Sequence, residues 1–138
     1  MRSVVAVATL ILVFPVSLLA NEKEAVGKAR GAAVAWLALT DSEKFGQSWD
    51  DAASLFKDAV PRADWERAVK GVRAPLGAVR SRKIRSATFS RTLPGAPDGE
   101  YVVIQFDTQF EHKAAAVETV TPMREKDGSW RVSGYFIK

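Results

Sequence analysis

The sequence predicts an α+β fold: three N-terminal helices packed on one face of a four-stranded antiparallel meander. Three observations carry that prediction. Apolar residues recur with a helical period from Glu22 to Val72 and with a period of two from residue 79 onward. Two tight-turn sequences, Glu111-His112 and Asp127-Gly128, separate the later segments. The 138 residues, less an export leader, suffice for one hydrophobic core but not for two.

The leader comes first. Residues 1–20, MRSVVAVATLILVFPVSLLA, begin with Arg2 and continue into an apolar run that Thr9 interrupts and Pro15 breaks. Ala20 then precedes the charged stretch Asn21-Glu22-Lys23-Glu24. This is the layout of a signal peptide cleaved after Ala20, although Leu18 stands where a small residue is expected. The run is short for a membrane span. Residues 21–138 are therefore expected to form a single domain in the periplasm or secreted, with no membrane span once the leader is removed.

Helix one follows from Ala25, Ala29, Ala32/Ala33, Trp36 and Leu37, a one-sided stripe between Glu22 and Leu39. Asp41 to Gly46 reads as a polar connector. Ser48 is expected to cap the second helix, with Trp49, Ala52/Ala53 and Phe56 facing inward. Val60-Pro61 opens the third, whose buried stripe is Trp65, Ala68/Val69 and Val72 and which Pro75 and Gly77 end.

The strands follow. Residues 79–91 alternate poorly, which suggests a bulge. Leu93 to Gly99, LPGAPDG, is a loop. Residues 100–110 place Val102, Ile104, Phe106 and Phe110 on one side and Tyr101, Gln105, Asp107 and Gln109 on the other. Residues 113–124 and 129–137 complete the meander. With two-residue turns at both hairpins, Phe106 faces Val117, Ile104 faces Thr119, Met123 faces Val132 and Thr119 faces Phe136. That register gathers Val102, Ile104, Phe106, Val117, Met123, Trp130, Val132 and Phe136 on one face, where a one-residue slip would scatter them.

Residue chemistry excludes several function classes. Without cysteine there is no disulfide, thiol catalysis or iron–sulfur cluster, and with His112 alone there is no multi-histidine metal site in one chain. No P-loop, G-x-G-x-x-G, G-x-S-x-G or calcium-loop spacing is present. No catalytic residue, metal ligand or cofactor is assigned. A net charge of +4 is too mild to imply nucleic acid.

At this point the sequence resembles a known family. SWDDAASLFKDAV, RAPLG at Arg73 to Gly77, GEYVVIQF, KAAAVETVTPM and the ending DGSWRVSGYFIK are similar to the bacterial domain of unknown function 4019 family. The likeness covers nearly all of the chain after the leader. It implies an exported location and a fold resembling the nuclear transport factor 2-like (cystatin-like) type, shortened by loss of the hairpin after the second helix. It implies no catalytic residues, and a fold alone does not give function.

Four constellations remain. Arg80, Arg82, Lys83 and Arg85 form the densest part of a basic stretch. They read either as a site for an anionic envelope component or as the charged protection of an edge strand. Tyr101, Val103, Val120 and Tyr135 make the outer sheet face apolar, as a homodimer contact or as scattered exposed residues. Trp36, Trp49, Thr119 and Thr121 could line a cavity between helices and sheet, although all four tryptophans (with Trp65 and Trp130) also suit core packing. Asp107 and Glu118 are placed together on the solvated face, without the burial that tunes a catalytic acid. The reading is an exported interaction or binding module, leaning away from an enzyme; the alternative is a small-molecule carrier or enzyme using that cavity.

Overall fold

The computed structural model describes residues 16–138, with side chains described from Leu18 onward. Eight elements follow one another: α1 (Val16–Asp41), α2 (Phe45–Asp50), α3 (Ser54–Ala59), α4 (Arg62–Leu76), β1 (Val79–Ser90), β2 (Tyr101–Phe110), β3 (Lys113–Arg124) and β4 (Trp130–Ile137). The strands form one antiparallel sheet in the order β1-β2-β3-β4. Most of the leader lies outside the described residues. Its last five, Val16–Ala20, begin α1, so the expected cleavage point falls inside that helix.

Helix α1 buries Ala25, Ala29, Ala33, Trp36 and Leu37, the stripe its period requires. Small residues along that stripe let the helix lie close to the sheet. It ends in a Schellman turn: Lys44 N–H donates to Leu39 and Glu43 N–H to Thr40, with Glu43 at φ 59° where glycine is usual.

Four helices stand where three are expected. The second is divided because Ala52 and Ala53 leave the helical path, and Ala53 N–H donates to the Val132 carbonyl of β4. Ser48 is no cap. It lies within α2, fully buried, where its hydroxyl donates to the Phe45 carbonyl and accepts from the Trp65 indole. Glu125 caps α3 instead, its carboxylate accepting from the Ser54 N–H at 2.7 Å. In α4 the third buried position is Arg73 rather than Val72, which is exposed.

The first hairpin opens as expected at Phe110↔Lys113, and a bulge then shifts its register. The second opens one residue out of the expected register, at Arg124↔Trp130, and a bulge further along restores it. Between Thr108 and Phe110 the β3 strand carries one extra residue, so Phe106 faces Glu118 and Ile104 faces Val120. On β4 the shift falls between Pro122 and Thr121: Met123 faces Arg131, while Thr119 does face Phe136. Cross-strand pairs share a face. Val102, Ile104, Phe106, Val120 and Val132 are core residues, with Trp130 and Tyr135 packed against them. Val117, Met123 and Phe136, expected inside, lie on the opposite face. The alanine run 114–116 offers no large side chain to oppose the slip, which is why composition alone did not expose it.

Helix α4 meets the sheet through one tight junction. Gly77 ends it at φ 75°, ψ −159°, a region open essentially to glycine. The Leu76 and Ala78 carbonyls accept from the N–H groups of His112 and Glu111 at the tip of the β2–β3 hairpin. A Cβ at Gly77 would lie 2.9 Å from the Glu111 Cβ. Gly77→Ala is expected to cost about 2–3 kcal/mol in urea unfolding, since backbone strain and contact act together. A change below about 0.5 kcal/mol would refute this account of the junction.

Candidate functional site

The β3 slip turns Glu118 beneath the helices, where it is fully buried. Four donors meet its carboxylate. Arg82 from β1 contributes Nε at 2.7 Å and Nη2 at 3.2 Å, Thr108 from β2 its hydroxyl at 2.5 Å, and Tyr135 from β4 its phenol. The same Arg82 grips Asp41 at the end of α1, through Nη1 at 2.7 Å and Nη2 at 2.9 Å. Arg73 of α4, only 6% exposed, donates to Asp41 at 2.8 Å and to Thr40 at 3.0 Å. Its guanidinium also lies 5.1 Å from the Phe110 ring centre. Two carboxylates and two guanidiniums thus bind six elements in a charge-balanced chain.

Tyr135, Arg82 and Asp41 keep their charge states around neutrality. Burial pushes the Tyr135 phenol well above its ordinary value and the Glu118 charge adds to this, so it stays a donor. Burial works against the Arg82 charge, but hydrogen bonds and attraction from Asp41 and Glu118 more than offset it and hold the group protonated. Burial likewise raises Asp41, yet the hydrogen bonds from Arg82 and Arg73 prevail and leave it below 3.8. Glu118 is correctly positioned to hold Arg82 and Tyr135 in place.

The expected site residues are scattered by this arrangement. Arg82 leaves the basic patch for the interior, while Arg80, Lys83 and Arg85 remain exposed on edge strand β1. Arg80 and Arg85 lie 3.9 and 3.8 Å from Glu111 and Asp107. Of the expected outer-face contact, only Val103 stays partly open. Val120 is wholly buried and Tyr135 packs inward, because the bulges reverse their faces. Tyr101 does face outward, but it is 1% exposed, and its hydroxyl donates to the Pro97 carbonyl of the preceding loop.

The cavity set also separates. Trp36 and Trp49 sit in and against the core, whereas Thr119 and Thr121 lie on the opposite sheet face. The helix tryptophans are packed and satisfied: Trp36 and Trp49 donate to the carbonyls of Ser48 and Val60, and the Trp36 and Trp65 rings lie 5.9 Å apart. Asp107 is exposed and Glu118 buried, so the two never share a face. Glu118 and Arg73 were the residues sequence reasoning missed. One signal existed, since Arg82 shares its alternation with Ile84 and so asks for a buried counter-charge.

A groove of about 360 Å³ opens at the end of α1, lined by Thr40, Asp41, Phe45, Arg73 and Gly77 among others. It meets the outer end of the ion chain and does not include Glu118. Among the described residues no cluster of ligands suits a metal ion, and no helix is long and apolar enough to cross a membrane.

Architecture and site together define an α+β protein: an antiparallel meander, helices over one face, and an ion network between the layers. The family described as protein of unknown function DUF4019 matches residues 32–135, most of the chain, and the protein belongs to it. No curated protein matches the chain.

Breaking the ion chain tests its role. Glu118→Ala leaves Arg82 without its inner partner and is expected to cost about 3–5 kcal/mol in urea unfolding. Replacing both, as Glu118→Leu with Arg82→Met, is expected to recover part of that loss, because neither charge remains buried. Asp41 gives a pH signature. Its folded value is depressed, so its contribution is present above about pH 4 and is lost as pH falls through the lower folded value. Asp41→Asn should therefore flatten the acid limb of a stability–pH curve. An unchanged acid limb would contradict the assignment.

Proposed function

We propose that the protein is an exported, non-catalytic binding module of the bacterial envelope, on a shortened nuclear transport factor 2-like (cystatin-like) fold. In this reading it pairs with a second copy of itself through the sheet face that no helix covers. The observation that carries it is Phe136, 58% exposed on that face, which it shares with Val103, Val117 and Met123. The contact is thus redrawn from the set read in the sequence, with Val103 common to both. The fully hydrogen-bonded state of Glu118 supports a non-catalytic role.

Two observations favour other partners. Lys83 and Arg85 border the same face on β1, which suits an anionic envelope component. The groove at Asp41 and Arg73 suits a carrier or enzyme that takes a small molecule beside the helices.

Sedimentation equilibrium separates these readings. The protein is expected to dimerise at tens of micromolar, and Phe136→Glu to leave a monomer whose urea midpoint is unchanged. A strict monomer at about 100 µM would remove the self-pairing surface. Binding to acidic vesicles that Lys83→Glu abolishes would instead favour the anionic partner. Export predicts a cellular chain whose first residue is Asn21.

A further inference from the structure

A second concavity, of about 290 Å³, lies at the opposite end of α1 from the ion chain. Five elements or their flanks build it: Glu24 and Lys28 from α1, Arg91 just after β1, Glu100 just before β2, Arg124 at the end of β3 and Trp130 at the start of β4. The strand ends converge because the meander brings the 91–100 loop and the β3–β4 hairpin to one end of the sheet. Arg124 N–H donates to the Glu100 carbonyl at 2.9 Å and fixes the two strand ends together.

The charges are unevenly matched. The Glu100 carboxylate lies between two guanidiniums, with Arg124 Nη1 at 3.0 Å from one oxygen and Arg91 Nη1 at 3.8 Å from the other. Lys28 pairs with Glu24 at 3.1 Å. Three cations therefore face two carboxylates, and the surplus is positive. A guanidinium carries five N–H donors. Among the described residues, Arg124 donates a side-chain hydrogen bond to Glu100 alone, so most of its fork is open to another acceptor. The half-exposed Arg91 guanidinium rests on the Phe89 ring, 5.0 Å from its centre, at the border of the concavity. Trp130, which packs against the core, borders the concavity.

The geometry points to a binding site for a small carboxylate carried on a ring, such as a uronic acid sugar. The Arg124 fork matches a carboxylate in geometry and charge, with Arg91 as the second donor. The ring would pack against the edge of Trp130 that borders the concavity. A plain anion would use only the arginines and a neutral sugar only the tryptophan, so the site discriminates by requiring both. The volume fits one sugar ring and not a polymer segment. This site is separate from the sheet face that carries Phe136, and its test is independent of self-pairing.

The experiment titrates the purified protein with glucuronate and follows the Trp130 indole and arginine Nε resonances by ¹⁵N NMR. Glucose and acetate are titrated in parallel. Saturable shifts are expected for glucuronate in the millimolar range, with glucose and acetate about tenfold weaker or more. Arg124→Gln is expected to weaken glucuronate by about tenfold while leaving the urea midpoint unchanged. Should that variant lose stability, Arg91→Gln carries the same expectation and decides the matter. No saturation by about 50 mM glucuronate, equal binding of glucose or acetate, or wild-type affinity in both arginine variants would each overturn the assignment.

Discussion

The structure depends on how it buries charge. Glu118 lies under the helices with no exposed surface, and a carboxylate there is tolerable only when partners replace its water. Arg82 supplies a two-toothed grip, while Thr108 and Tyr135 fill the remaining acceptor positions. Because Arg82 also holds Asp41, the end of α1 is tied to the middle of the sheet. Arg73 adds α4 to the same point. Asp41 sits unfavourably at a helix C-terminus, where the backbone dipole is negative, and the two guanidiniums offset that. Such a network is weak evidence for high stability, but any slip of α1 along the sheet would strand several charges at once.

Two irregularities make the network reachable. The bulge in β3 turns Glu118 and Val120 inward, and the shift on β4 turns Tyr135 inward to meet Glu118. Both lie in segments where the sequence offers little resistance, the alanines 114–116 and Ser133-Gly134. The same shifts send Phe136, Val117 and Met123 to the opposite face. The buried acid and the exposure of Phe136 on the opposite face are thus two consequences of one register. This ties the structural core to the surface on which self-pairing is proposed.

Chemically the two ends of α1 differ. At its C-terminal end Asp41 is held by the largely buried guanidiniums of Arg73 and Arg82, and the groove ends on that closed cluster. At its N-terminal end the pairs are exposed, unequal in number and bordered by an aromatic ring. Buried, balanced ions organise a fold, whereas exposed and unbalanced ones with open donors are suited to recognition.

Much was legible in the residues themselves. The α1 stripe, the four strands and their order, the turn at Glu111-His112, the bulged edge strand and the inward tryptophans follow from period, turn chemistry and propensity, which act over a few residues. The division of the second helix depended on a hydrogen bond from Ala53 to a strand 79 residues further along, and no local pattern encodes it. The inner face of β3 depended on a single extra residue among alanines, where either register satisfies the local pattern. Local periodicity thus determined which segments are helix and which are strand. Only the tertiary structure decided which way Glu118, Tyr135 and Phe136 point, because that choice is made by long-range burial and charge pairing across six elements at once.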